Sequence, residues 1–203
     1  MAKFNLDSKF NQSLNALTDL LLLNLMWLLT SLPILTIGAS TTALYAVLGR
    51  IDRGDGGGII LNYFRYWKRE WKLSTVFWLI QIAFTVLLLY NFLSMYNAEN
   101  PLAQLIGWLS CIAMLILEAI FTLIYPMIAR YQNRFGEYLQ NAAILFRTNM
   151  LRCILQLMLL ALPFVMALYL EELFLRTLPV WLLFGVAAVM RGCHLLQRSI
   201  FEL

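Results

Sequence analysis

Apolar residues fill this chain in long uncharged blocks divided by short basic stretches, and the longest block, residues 20–49, runs thirty positions without a charged side chain. As one straight helix it would measure about 45 Å, well beyond the ~30 Å hydrocarbon layer of a bilayer. Pro33 removes an amide donor and disfavours helix at Leu32, and Gly38 tolerates turn geometry. The pattern therefore predicts a helical hairpin, with a first span over residues 18–32 and a returning helix over residues 39–52. Gly38, Thr42, Ala46 and Gly49 line one face of the second helix with small side chains, which favours close helix packing.

Before the first block, Phe4, Leu6, Phe10, Leu14 and Leu17 recur at threes and fours. That spacing fits an amphipathic helix on a membrane surface or an early start of the first span. Residues 50–72 are basic and open with a glycine-rich linker. A P-loop would need a Lys-Ser/Thr ending and a preceding strand, and neither is present. From Ile59 onward Tyr63, Phe64, Trp67 and Trp71 share one side, with Arg65, Lys68, Arg69 and Lys72 around the other. This is the pattern of an interfacial helix against anionic headgroups or of a face docked on a partner protein. Further spans are predicted over residues 73–96 and 102–129. A second amphipathic stretch follows on Phe135, Leu139, Ala142, Phe146 and Met150. The last hairpin is expected at residues 151–170 and 178–196, joined by a turn at Glu171-Glu172, with Pro163 kinking the first helix and Pro179 in the opening turn of the second. Each long hairpin followed by a basic amphipathic stretch has the outline of a weak internal repeat.

Composition agrees with this pattern. Hydrophobic residues make up 62% and charged residues 13%, against roughly 45–50% and ~25% in soluble domains. The chain reads as an all-α polytopic membrane bundle, a single domain over residues 1–203. With six spans, fourteen of the fifteen Lys and Arg fall on one side and only Arg176 opposite. The positive-inside rule then favours six spans over five, with both termini cytoplasmic. The basic residues follow the topology and form no phosphate-tracking tract, so nucleic acid is not an expected partner. Asp7 and Asp19 in the leader, and apolar sequence past Gly38-Ala39-Ser40, argue against a cleaved signal peptide. Cys111, Cys153 and Cys193 are read as buried free thiols.

Glu118 is the one carboxylate deep in an expected span. It costs at least ~2.5 kcal/mol to insert there unless protonated, paired or facing the bundle interior. Proton coupling, a polar substrate contact or a hydrogen bond between helices would each account for it. Asn24, Gln81, Asn91 and Gln156 are the intramembrane amides, which more often join helices than bind ligands. His194 is placed near the depth of Asp19, where the two would pair. No nucleophile, metal-ligand spacing or protease motif accompanies them, so neither an enzyme nor a cofactor is expected.

The run Asn24-Leu25-Met26-Trp27, with Leu32-Pro33, Thr36-Ile37-Gly38 and Ala43-Leu44-Tyr45, resembles the opening hairpin of the YesL-like family of bacterial membrane proteins. The resemblance continues more loosely to about Arg191. It implies a bacterial cell membrane location and an association with carbohydrate ABC importers, and it supplies no catalytic residues. Two functions are expected to compete. One is an accessory protein contacting carbohydrate ABC transporter subunits, the lipid bilayer or a second copy of itself. The other is a small transporter or channel built on Glu118 and the broken hairpin between Pro33 and Gly38.

Overall fold

The computed structural model describes residues 6–55 and 57–201, with side chains from Leu14 onward. The predicted amphipathic spacing before Leu14 thus lies outside the described side chains. Helix α1 (Leu6–Ser31) ends two residues before Pro33. A 3-10 turn (Ile34–Thr36) then leads into α2 (Ile37–Asp52), α3 (Ile59–Met95), α4 (Pro101–Arg130), α5 (Phe135–Thr148), α6 (Met150–Tyr169) and α7 (Glu171–Val180). A π-helical segment (Trp181–Gly185) connects α7 to α8 (Val186–Phe201), and the described residues contain no strand. Six of these helical stretches are long and apolar enough to cross a membrane, the last running through α7 and α8.

The fold-back falls where proline places it. Thr36 Oγ1 donates to the carbonyls of Thr30 (2.6 Å) and Pro33 (2.7 Å), tying the turn to the end of α1. Helix α2 is the centre of the bundle, with every residue from Gly38 to Gly49 buried. The small-residue face meets α3: Thr42 and Ser74 share a hydroxyl hydrogen bond of 2.9 Å. One core joins Leu23, Leu44, Leu48, Tyr63 and Ala187. Another joins Phe77, Phe121, Ile124, Tyr138 and Ile200.

The expected surface helix between residues 59 and 72 is not a separate element. It continues without a break into the following span, giving a helix of 37 residues that extends about 55 Å. Gly58, in the left-handed region at φ 66°, supplies the turn that starts it, and neither Gly nor Pro occurs again before Met95. The α1–α2 hairpin reaches only partway along α3: the Trp78 indole donates to the Ile34 carbonyl at 2.8 Å. Beyond that level α3 packs on α4, with Phe92 against Trp108 and Met95 against Gly107. The outer faces of both helices carry exposed Leu87, Tyr90, Leu93, Leu102 and Leu105, as a bilayer solvent permits.

Helix α5 takes up the second predicted amphipathic stretch from Phe135 to Phe146, while Met150 already begins α6. Asn100 and Glu137 cap α4 and α5 respectively, the first accepting from Leu102 N (2.9 Å) and the second from Arg134 N (2.9 Å). Tyr138 anchors α5 by donating to the Tyr131 carbonyl at 2.6 Å, and burial pushes its phenol above the ordinary tyrosine value. Two expectations for the last hairpin need correction. Glu171 and Glu172 form the first turn of α7 rather than a loop, where the helix dipole favours acidic side chains. Pro179 lies at the far end of α7, next to the π segment.

Candidate functional site

The expected intramembrane polar residues separate into joined and unjoined groups. Glu118 is half-buried between α3 and α4. Its Oε2 accepts from Gln81 Nε2 at 2.6 Å and its Oε1 from Thr85 Oγ1 at 2.5 Å. Tyr125 in turn donates to Gln81 Oε1 at 2.5 Å. Thus both oxygens of Glu118 and both ends of Gln81 are engaged in a chain that zips α3 to α4.

Asn24, fully buried, faces the π segment. Its Nδ2 donates to the Leu182 carbonyl at 2.7 Å, and its Oδ1 accepts from the Ala187 amide at 2.9 Å. Those two backbone groups stand five residues apart, the spacing a π turn would pair, and the carboxamide bridges them. Gly185 belongs to the same device, since a Cβ there would fall 2.3 Å from the Trp181 ring. Sequence alone marks Asn24 as an amide at depth but does not reveal a helix irregularity 158 residues away.

Gln156 is different. It is fully buried on α6, and neither its oxygen nor its nitrogen has a hydrogen-bond partner. An unpaired buried amide costs about 1–3 kcal/mol, and an apolar group of similar shape avoids that cost. Gln156→Met is therefore expected to raise the midpoint of thermal unfolding in detergent micelles. A lower midpoint would show that the amide is satisfied in the folded protein.

The predicted partner face on α3 also divides. Tyr63 points inward, shares a 2.8 Å hydroxyl bond with Thr30 and donates to the Ser40 carbonyl at 3.2 Å. Trp67 is half-buried against the same core. Only Phe64, Lys68 and Trp71 remain exposed.

A further site was not anticipated. A cavity of about 540 Å³ opens where α2, the first turns of α3, the end of α4 and α8 converge. Tyr45, Tyr66 and Tyr131 and four arginines, Arg53, Arg69, Arg130 and Arg198, contribute to its wall. The one carboxylate in the lining, Asp52, is already engaged. Its Oδ1 lies 2.6 Å from Arg191 and its Oδ2 2.9 Å from His194 Nε2. His194 thus pairs with Asp52, not with Asp19, which instead lies beside the start of α3. Nearby, Arg50 pairs with Asp55, and Arg152 donates to the Ser199 carbonyl at 3.2 Å. The sequence signal was available in part, because each arginine of the wall flanks an apolar block. What it could not show is that alternate helix ends meet around one space.

Among the described residues no three His, Cys, Asp or Glu side chains come together as metal ligands. All three cysteines are free thiols; Cys153 and Cys193 are buried, and Cys111 is half-buried.

Residues 20–92 match the family model described as protein of unknown function, DUF624. The matched segment includes the Pro33 hairpin, all of α2 and most of α3. No curated protein and no solved structure matches the chain.

Proposed function

We propose that this chain is a YesL-like accessory protein of a bacterial cell membrane, with both termini cytoplasmic, that associates with the membrane subunits of a carbohydrate ABC importer. The observation that carries the reading is the engagement of Glu118 and Gln81. A transport route needs polar groups that a solute or proton can reach and leave. Here both oxygens of Glu118 are occupied by side chains of α3, which is the arrangement of a helix joint. The convergence of basic helix ends around one cavity supports a cytosolic position for that end of the bundle under the positive-inside rule. The importer as partner rests on the family resemblance. Phe64, Lys68 and Trp71 on α3 are the surface offered to it.

The test combines two measurements. The tagged protein, purified in mild detergent, is expected to bring importer subunits with it in fixed ratio. Phe64→Ala with Trp71→Ala should weaken that recovery. Alone in liposomes, neither the parent nor Glu118→Gln should move sugar or protons. Flux by the parent that disappears in Glu118→Gln would overturn the accessory reading in favour of a transporter.

A further inference from the structure

The arginine-lined cavity has a chemistry that the accessory reading does not use. Four guanidinium groups approach it from three different helices and one helix end, and three tyrosines stand among them. Its acidic component is neutralised from within, because the Asp52 carboxylate is bonded on one oxygen to Arg191 and on the other to His194. Most of these cations have protein contacts: Arg69 bonds Glu70 at 2.5 Å and lies over the Tyr66 ring, Arg130 lies over the Phe201 ring, and Arg198 also has a protein partner. Among the described residues the cavity nonetheless retains an excess of positive charge on a concave wall. Such a wall concentrates field and favours anions. His194 adds a second feature. It is 1% exposed, it lines the cavity, and its Nδ1 has no hydrogen-bond partner.

We infer that this cavity binds a phosphate group. Guanidinium is the side chain best matched to phosphate, because its planar fork gives two parallel charge-assisted hydrogen bonds to oxygen pairs. Several forks around one space can engage the oxygens of a single tetrahedral anion. Among the described residues the one carboxylate of the lining, Asp52, is already paired. The same chemistry serves two sources, the headgroup of an anionic phospholipid entering from the membrane and a soluble phosphate entering from the aqueous side. The inference does not depend on the importer association.

The experiment uses the full chain in a phosphate-free maltoside micelle. Thermal unfolding is followed while inorganic phosphate or short-chain phosphatidylglycerol is titrated at constant ionic strength, with chloride as the balancing anion. A ligand that binds only the folded state raises its stability with concentration. The variants are Arg53→Gln, Arg198→Gln and the two together, with Arg176→Gln as control, since Arg176 lies on α7 away from the cavity. At least one probe is expected to raise the midpoint of the parent and of the control alike. The double variant should need at least tenfold more of that probe, and each single variant an intermediate amount. Arg53 is exposed, so its single variant keeps the test readable should the double variant fail to fold. Response to inorganic phosphate identifies a soluble source, and response to phosphatidylglycerol alone identifies a lipid. The inference is overturned if neither probe shifts the parent, if Arg53→Gln responds like the parent, or if Arg176→Gln loses the response as well.

Discussion

Replacing Asn24 with leucine is expected to lower the unfolding midpoint by roughly 4–24 °C. The size follows from two backbone groups rather than from the side chain itself. In the folded protein the Leu182 carbonyl and the Ala187 amide have the Asn24 carboxamide between them, at 2.7 and 2.9 Å. Leucine fills a similar volume but pairs with neither, and the site is fully buried. Each group left unsatisfied costs about 1–3 kcal/mol, so the pair accounts for about 2–6 kcal/mol, and ~1 kcal/mol moves the midpoint of a chain of this length by about 2–4 °C. The π segment could close by reverting to α-helical pairing, but that would rotate α8 relative to α7. Hydrogen exchange offers an independent readout, because the Ala187 amide should exchange faster in Asn24→Leu while amides of α4 stay protected. A midpoint within 1 °C of the parent, with Ala187 exchange unchanged, would show that the bridge contributes nothing.

The contrast between Asn24 and Glu118 shows how far residue pattern reaches. Depth was legible for both, since each sits in an uncharged apolar run. The partner of Glu118 was almost within reach of sequence reasoning as well, because Gln81 and Thr85 lie one helical turn apart on the neighbouring span. Asn24 has no such clue, as its partners are backbone atoms made available by a local helix irregularity. The continuous α3 was missed for another reason. Aromatic and basic residues at its start have the composition of a surface helix, yet composition does not stop a helix. Only Gly, Pro or a cap does, and none stands between Ile59 and Met95. The basic cavity lies one level further from the sequence. The positive-inside count puts its arginines on one side of a six-span topology, and the space they enclose depends on how helix ends converge.

The four small residues of α2 look equivalent in sequence and are expected to behave very differently. At Gly38 an added Cβ would lie 2.4 Å from the Ser74 carbonyl oxygen and 2.8 Å from Trp78 Cβ. Neither atom belongs to a flexible side-chain end, so accommodation requires α2 and α3 to separate. Separation stretches the Thr42–Ser74 bond and the Trp78 to Ile34 bond at once. Overpacking of this kind costs about 1–3 kcal/mol and occasionally more, and polar bonds between membrane helices add about 0.6 kcal/mol each. Gly38→Ala is therefore expected to destabilise by about 3 kcal/mol, and Gly38→Leu to prevent recovery of folded protein. At Gly49 the nearest atoms to an added Cβ are Arg53 Nη1 at 3.6 Å and His194 Cε1 at 3.9 Å, which is ordinary contact. There alanine relieves a helix-interior glycine, a change favouring the helix by up to ~1 kcal/mol. Gly49→Ala should melt at or above the parent temperature. Equal effects at the two positions would mean that the close approach of α2 to Ser74 is not what seats the central helix, since the geometry makes the effects opposite in sign.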